Sequence, residues 1–292
     1  MSHDTHVIDG INKDVGLYGL QAAKEYYLSL AEDWEDPNPP PVVMEHDGVR
    51  VVRDDLITGT KVRGGDLLIS RCPIDTIVYS QPRVGLAGVS ILDVANRHNK
   101  KVVLFMPAAK KISLHQACCI ERGAIPIFKR IAAMPNLNKA AKEWADQNNA
   151  FFVPLGLRHE LVTAGIVKVA SKIAEPEEVY VAISTGVLSR ALQIAWPNAK
   201  FNCVAVARNL KAGELGRANV ISEPMEFAQE EKEENLPPFP TVRTYDAKAW
   251  KYVPKYSGRD ILFWNVGTEP SLQDPTIYDR TNSNVKWDKY AN

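Results

Sequence analysis

From "GVRVVRDDL" to "DILFWNVG", short apolar runs of strand length alternate with stretches of helical spacing. "KKVVLFMPA", "AIPIFK", "EVYVAIS" and "KFNCVAVA" read as strands. "VGLAGVSILDVANRHN", "SLHQACCIERG", "LNKAAKEWADQN", "LVTAGIVKVASKIA" and "TGVLSRALQIAW" read as helices, with Gly123 as a helix stop. "DLLIS" and "TIVYS" are short apolar runs. Such alternation predicts parallel sheets covered on both faces, an α/β chain whose site lies beyond the carboxyl ends of strands. At 292 residues the chain is long enough for two modest domains sharing a cleft. "DPNPPPVV" is an extended entry segment, and the acidic run "EFAQEEKEENLPPFP" reads as a solvated helix or a mobile loop.

Lys plus Arg and Asp plus Glu both total 35, so net charge argues neither for a chain wrapped by nucleic acid nor for general steering of anions. Cys72, Cys118, Cys119 and Cys203 lack any CxxC spacing and read as inert thiols. Adjacent side chains in "MEHDG" do not converge as metal ligands do, so no metal is expected. The absence of an apolar leader or spanning segment suggests a reducing, soluble setting, the cytoplasm, with no membrane.

Three segments have the size of a phosphate or anion site. In "RVVRDDLITGTKVRGG", Thr58, Gly59 and Thr60 suit a phosphate cradle, with Asp54 and Asp55 facing ribose hydroxyls or magnesium, as in a phosphoribosyltransferase. The same stretch equally presents Lys61 from a helix start as a Schiff-base amine. In "YVAISTGVLSRALQ", Ser184, Thr185, Gly186, Val187 and Leu188 lie where a strand turns into a helix, whose first amides bind phosphate. In "YSQPRVGLAG", Ser80, Gln81 and Arg83 suit an anionic substrate group.

Five segments, in order, resemble the fold-type II pyridoxal-phosphate enzymes, of the tryptophan synthase beta-like superfamily. They are "RDDLITGTKVRGGDLLI", "TIVYSQPRVGLAGVSILDVANRHNKKVVLFMPA", "NAFFVPLGLRHELVTAGIVKVASKIA", "VYVAISTGVLSRALQIAWPNAKFNCVAVAR" and "TYDAKAWKYVPKYSGRDILFWNVG". The nearest likeness is to the branch containing aminocyclopropane-carboxylate deaminase and D-cysteine desulfhydrase, from which this chain diverges. Val187 stands where that family commonly has glycine, and Pro82 and Arg83 replace its usual substrate-loop residues.

The resemblance implies pyridoxal 5'-phosphate as cofactor and Lys61 as catalytic lysine. It implies a phosphate loop at Ser184–Leu188, Asp246 against the pyridine nitrogen, and Asn265 and Tyr79 beside the ring. Ser80, Gln81 and Arg83 would hold the substrate. It further implies two domains with twisted, mainly parallel sheets. The division expected is 1–78 and 151–268 for the larger cofactor domain, 79–150 for the smaller substrate-side domain and 269–292 as a polar tail. The activity implied is a lyase working at the α-carbon of an amino acid by deamination, elimination or decarboxylation through a Lys61 Schiff base. The alternatives are tailoring of an amino-acid-modified thymine base in viral DNA, a phosphoribosyltransferase, and a non-catalytic protein on the same scaffold. A homodimer is the expected assembly.

Overall fold

The computed structural model describes residues 21–130, 133–207 and 215–284. In chain order the elements are helix α1 (21–30), β1 (Val43–His46), β2 (Val49–Arg53), α2 (Lys61–Ser70), β3 (Thr76–Ser80), α3 (Ala87–Arg97), β4 (Lys101–Pro107), α4 (Leu114–Glu121), β5 (Ile125–Lys129) and α5 (Met134–Gln147). They continue with β6 (Phe151–Phe152), α6 (Glu160–Ala170), β7 (Glu178–Ile183), α7 (Val187–Ala195), β8 (Lys200–Ala205), β9 (Asn219–Ser222), α8 (Asp246–Trp250), β10 (Ile261–Asn265) and α9 (Thr276–Asn284). Residues 66–70, a strand-like run in the sequence, form the second half of α2. The chain divides into two compact units, with boundaries after Leu67, Leu157 and Glu269. The second unit takes the middle of the chain and the segment that carries α9.

The first unit is built on a six-stranded sheet of order β1-β2-β10-β7-β8-β9. Every pairing is parallel except the β1–β2 hairpin. That hairpin turns at Asp47 and Gly48, both at positive φ, so the polar "EHDG" cluster is a tight turn. The central strands β7 and β10 are buried at every position, which explains their unbroken apolar runs. Val49, Val51, Phe239, Trp250 and Phe263 anchor the core on one face of this sheet.

Helices α2 and α6 approach closely through facing glycines. A Cβ built on Gly64 would lie 2.3 Å from the Val162 carbonyl oxygen, and one on Gly165 would lie 2.8 Å from the Gly64 Cα. The neighbour in both cases is backbone, so it cannot rotate away. Gly64→Ala is expected to cost about 1–3 kcal/mol by overpacking, read from the midpoint of urea unfolding.

The second unit holds a four-stranded, all-parallel sheet of order β5-β4-β3-β6. Helix α5 covers one face through Leu137, Ala141 and Ala145, which meet Val78, Val103 and Phe105. Ser113 and Gln116 form a capping box that starts α4, and Gly123 at φ 92° follows its end. Cys118 and Cys119 are buried in α4, where loss of water raises both thiols. In the first unit, burial pushes the Cys203 thiol up to about 12.

The acidic segment departs from the expectation of a solvated helix or mobile loop. Glu231 turns inward and pairs with Lys251 at 2.8 Å, beside Glu223, which precedes the segment and pairs with the same lysine at 2.9 Å. The buried Lys248 ammonium donates to the carbonyls of Glu226 and Phe227 at 2.7 and 3.2 Å. Two cations on or beside α8 thus bind the segment to its surface, while Glu230, Glu233 and Glu234 stay outside.

Candidate active site

In the first unit, the chain leaves β2 through Arg53, makes a short 3-10 turn at Asp54–Leu56 and enters α2 at Lys61. Asp54 is fully buried and fixes this entry. Its Oδ2 accepts from the Thr60 hydroxyl at 2.8 Å and the Trp264 indole at 3.0 Å. Its Oδ1 accepts from Arg63 at 2.7 and 3.0 Å, and Arg63 also binds Asp36 and the Pro39 carbonyl. The Thr60 amide donates to the Val266 carbonyl at 2.9 Å, so the residue just after β10 holds the residue just before α2.

Asp55 is held by the Arg53 guanidinium at 2.7 and 2.8 Å and by Asn265 at 2.8 Å. Both acids of the "DDLITGT" motif are therefore engaged in the scaffold. That removes the ribose and magnesium ligands which a phosphoribosyl site needs, and Thr60 with them.

Lys61 is half-buried. Desolvation pushes its amine below the ordinary lysine value, and the charge of nearby Asp246 offsets part of that. Asp246 begins α8 and is completely buried. Its Oδ2 accepts from the Val266 amide at 3.2 Å, while its Oδ1 has no hydrogen-bond partner among the described residues. Burial raises its carboxyl well above the ordinary range; Asp55 and Asp54 push the same way, and the Val266 amide and Lys61 pull against it. A buried carboxylate oxygen left without a donor is costly unless it is protonated or something supplies a donor.

The loop after β7 completes the first-unit site. Gly186 has φ 74°, and a Cβ there would meet Leu215 Cδ2 at 2.4 Å and Arg190 Nη2 at 3.2 Å, so only glycine makes this turn without displacement. Val187 and Leu188 open α7, and the first amides of a helix have no intrahelical acceptor. The Tyr245 hydroxyl donates to Ser184 Oγ at 3.4 Å. Tyr245 directly precedes Asp246, so one dipeptide reaches both the loop and the carboxylate beside Lys61. Arg190, 3% exposed, donates to the Thr185 carbonyl from within the same turn.

Asn265 sits at the end of β10, fully buried, with its amide donating to Asp55 and the Pro240 carbonyl and its oxygen accepting from Thr241. It joins the network under Lys61.

The remaining candidates belong to the second unit. Tyr79 is buried in β3, where desolvation raises its hydroxyl, which accepts from the Gly156 amide at 3.5 Å. Ser80 ends β3, fully buried, with no hydrogen-bond partner for its hydroxyl among the described residues. The Gln81 side chain folds back on its own loop, donating to the carbonyls of Pro82 and Gly85 and accepting from the Gly88 amide. It shapes the turn that carries Arg83, which is exposed and donates to the Lys111 carbonyl.

Sequence reasoning gave Thr60 a phosphate to hold, whereas its hydroxyl binds Asp54 and Trp264; Tyr245 and Trp264 it did not single out. Tyr245 had a signal, its adjacency to Asp246. Trp264 had none, because its partner Asp54 lies 210 residues away in the chain.

No family model matches the chain, and no curated protein does. Solved structures do. An aminocyclopropane-carboxylate deaminase homologue superposes with TM-score 0.67 at 17% identity, over 82% of this chain and 94% of its own. The processed form of threonine deaminase isoform 2 from Solanum lycopersicum gives 0.66 at 12% identity, over 90% and 89%. A pyridoxal 5'-phosphate-dependent aspartate racemase gives 0.61 at 11%, over 86% and 95%. At these identities the likeness establishes the fold, and the two-unit, mainly parallel α/β architecture expected from the sequence is the one this chain shares with them.

Proposed function

We propose that the chain is a pyridoxal-phosphate-dependent enzyme acting at the α-carbon of an amino-acid substrate, with a lyase reaction as the first reading. The observation that carries it is the buried, donorless Oδ1 of Asp246 beside a lysine of lowered basicity, linked by Tyr245 to a glycine turn at a helix start. Lys61 would hold the cofactor's aldehyde carbon, Ser184–Leu188 its phosphate, and Asp246 its ring nitrogen, whose N–H supplies the donor that Oδ1 lacks. When bound, this cofactor supplies an electron sink for charge developing next to the substrate amine.

The chain's own residues then divide the work. A carboxylate against the ring nitrogen favours the protonated ring and so the deeper sink. Lys61, less basic than an ordinary lysine, would take or return a proton at the α-carbon. No helix among the described residues is long and apolar enough to cross a membrane.

The test is covalent. Protein incubated with pyridoxal phosphate is expected to gain visible absorbance that borohydride abolishes, leaving one phosphopyridoxyl group on the peptide containing Lys61. Lys61→Ala should acquire neither. Modification spread over surface lysines, with Lys61 unmodified, would sink the assignment. Panels of D- and L-amino acids scored for ammonia, keto acid, carbon dioxide and inversion would then separate lyase from racemase chemistry.

A further inference from the structure

The neutral net charge conceals a sharp division. Between residues 68 and 157, lysine and arginine outnumber aspartate and glutamate twelve to five, in a chain with 35 of each. Within the second unit this excess has a direction. All four strands of its sheet are parallel, so the segments leaving β3, β4 and β5 emerge at one carboxyl edge. Those segments carry Arg83, then Lys110 and Lys111, then Arg130, which follows Lys129 at the end of β5.

No aspartate or glutamate occurs in 81–86, 108–113 or 130–133, nor in 153–157 after β6. Four of the five acids lie elsewhere and are matched locally: Asp93 and Glu121 meet Arg122, Glu143 meets Lys139 and Asp146 meets Lys142. Arg83, Lys110 and Lys111 are exposed, and among the described residues no carboxylate lies within ion-pair distance of any of them. Arg83 donates to the Lys111 carbonyl, which ties two of the segments together, and the Lys111 ammonium lies 5.6 Å from the Tyr278 ring centre.

One substrate carboxylate is satisfied by a single guanidinium fork. Three exposed cations on two segments joined by the Arg83–Lys111 bond, with Lys129 and Arg130 adding positive charge at the end of β5, suit a ligand with repeated negative charge. A membrane surface would call for a broad apolar face among the cations, and among the described residues Leu114, 37% exposed, is the one exposed large apolar side chain next to these segments in the chain.

We propose that the carboxyl edge of the second unit's sheet binds the phosphodiester backbone of a single nucleic acid strand. This stands on the charge arrangement and is independent of the function proposed above.

The experiment is anisotropy of a labelled single-stranded DNA of about twelve nucleotides, titrated with the full chain at several salt concentrations. Wild type is expected to bind at low salt and weaken linearly on a log–log plot. Lys110→Gln with Lys111→Gln should reduce that slope by about 1.4, two single-strand phosphate contacts. Lys139→Gln with Lys142→Gln makes the same charge change on α5 and should leave the slope intact. Equal loss in both pairs, absence of salt-dependent binding, or binding to phosphatidylserine vesicles without binding to DNA would each overturn the proposal. The Lys61→Ala protein is titrated alongside. If it and wild type bind DNA while wild type takes no cofactor, backbone binding stands and the enzyme reading fails. If wild type takes cofactor at Lys61 and binds no DNA, the reverse holds.

Discussion

Asp54→Ala is expected to destabilise the protein by about 3–5 kcal/mol, the range found when one partner of a buried ion pair is removed. The carboxylate accepts from Thr60, Trp264 and twice from Arg63, and is itself fully buried. Removing it leaves the Arg63 guanidinium, 2% exposed, with Asp36 and the Pro39 carbonyl as its remaining partners among the described residues. It also orphans the Thr60 hydroxyl and the indole from their shared acceptor, although these two still contact each other at 2.9 Å. The drop in melting temperature should be on the order of 10 °C. A cycle distinguishes charge from packing. Asp54→Ala with Arg63→Met deletes both charges, so it should be less destabilised than the sum of the two single changes. Strict additivity would show that Asp54 and Arg63 do not stabilise each other. Because Thr60 is the residue before Lys61, the single change should also slow covalent capture of pyridoxal phosphate at Lys61.

That network marks the limit of what the sequence makes legible. Local grammar carries far: the Thr-Gly-Thr turn before Lys61, the Ser-Thr-Gly turn before α7 and the capping box at Ser113 all depend on residues within a few positions of one another. The acid pair misleads for the opposite reason. Whether Asp54 and Asp55 are free for a ribose or a metal depends on Trp264 and Asn265, which reach them because β2 pairs with β10 across the chain. A short apolar run such as residues 66–70 does not by itself distinguish strand from helix, and here the backbone stays helical from Lys61 through Ser70. The acidic run looks solvated until Lys248 and Lys251 are found against it. Net charge is an average over both units, so zero overall is compatible with a strongly cationic edge on one of them.

Asp246 gives the cofactor-free protein a predictable pH signature. Its folded pKa is raised above the ordinary 3.8, so from that value up to the folded one the native state holds a proton that the unfolded chain has released. Stability therefore falls as pH rises through this window, at up to about 1.4 kcal/mol per pH unit. Lys61 acts with the opposite sign. Its folded pKa is lowered from 10.5, so between the two values the unfolded chain binds the extra proton and stability rises with pH. Wild type should thus lose stability on the acid side of neutrality and regain some on the alkaline side. Asp246→Asn should erase the first limb. Lys61→Met should erase the second and extend the first to higher pH, because the favourable charge next to Asp246 is gone. Urea unfolding at intervals of pH reads all three proteins without any substrate. Parallel profiles for wild type and Asp246→Asn would show that Asp246 is ionised in both states and would remove its claim on the ring nitrogen. With cofactor bound, the same substitution leaves an amide that cannot stabilise a protonated ring, and turnover at the α-carbon should fall on the order of 10²-fold. The covalent link at Lys61 should survive, since the amine that forms it is untouched.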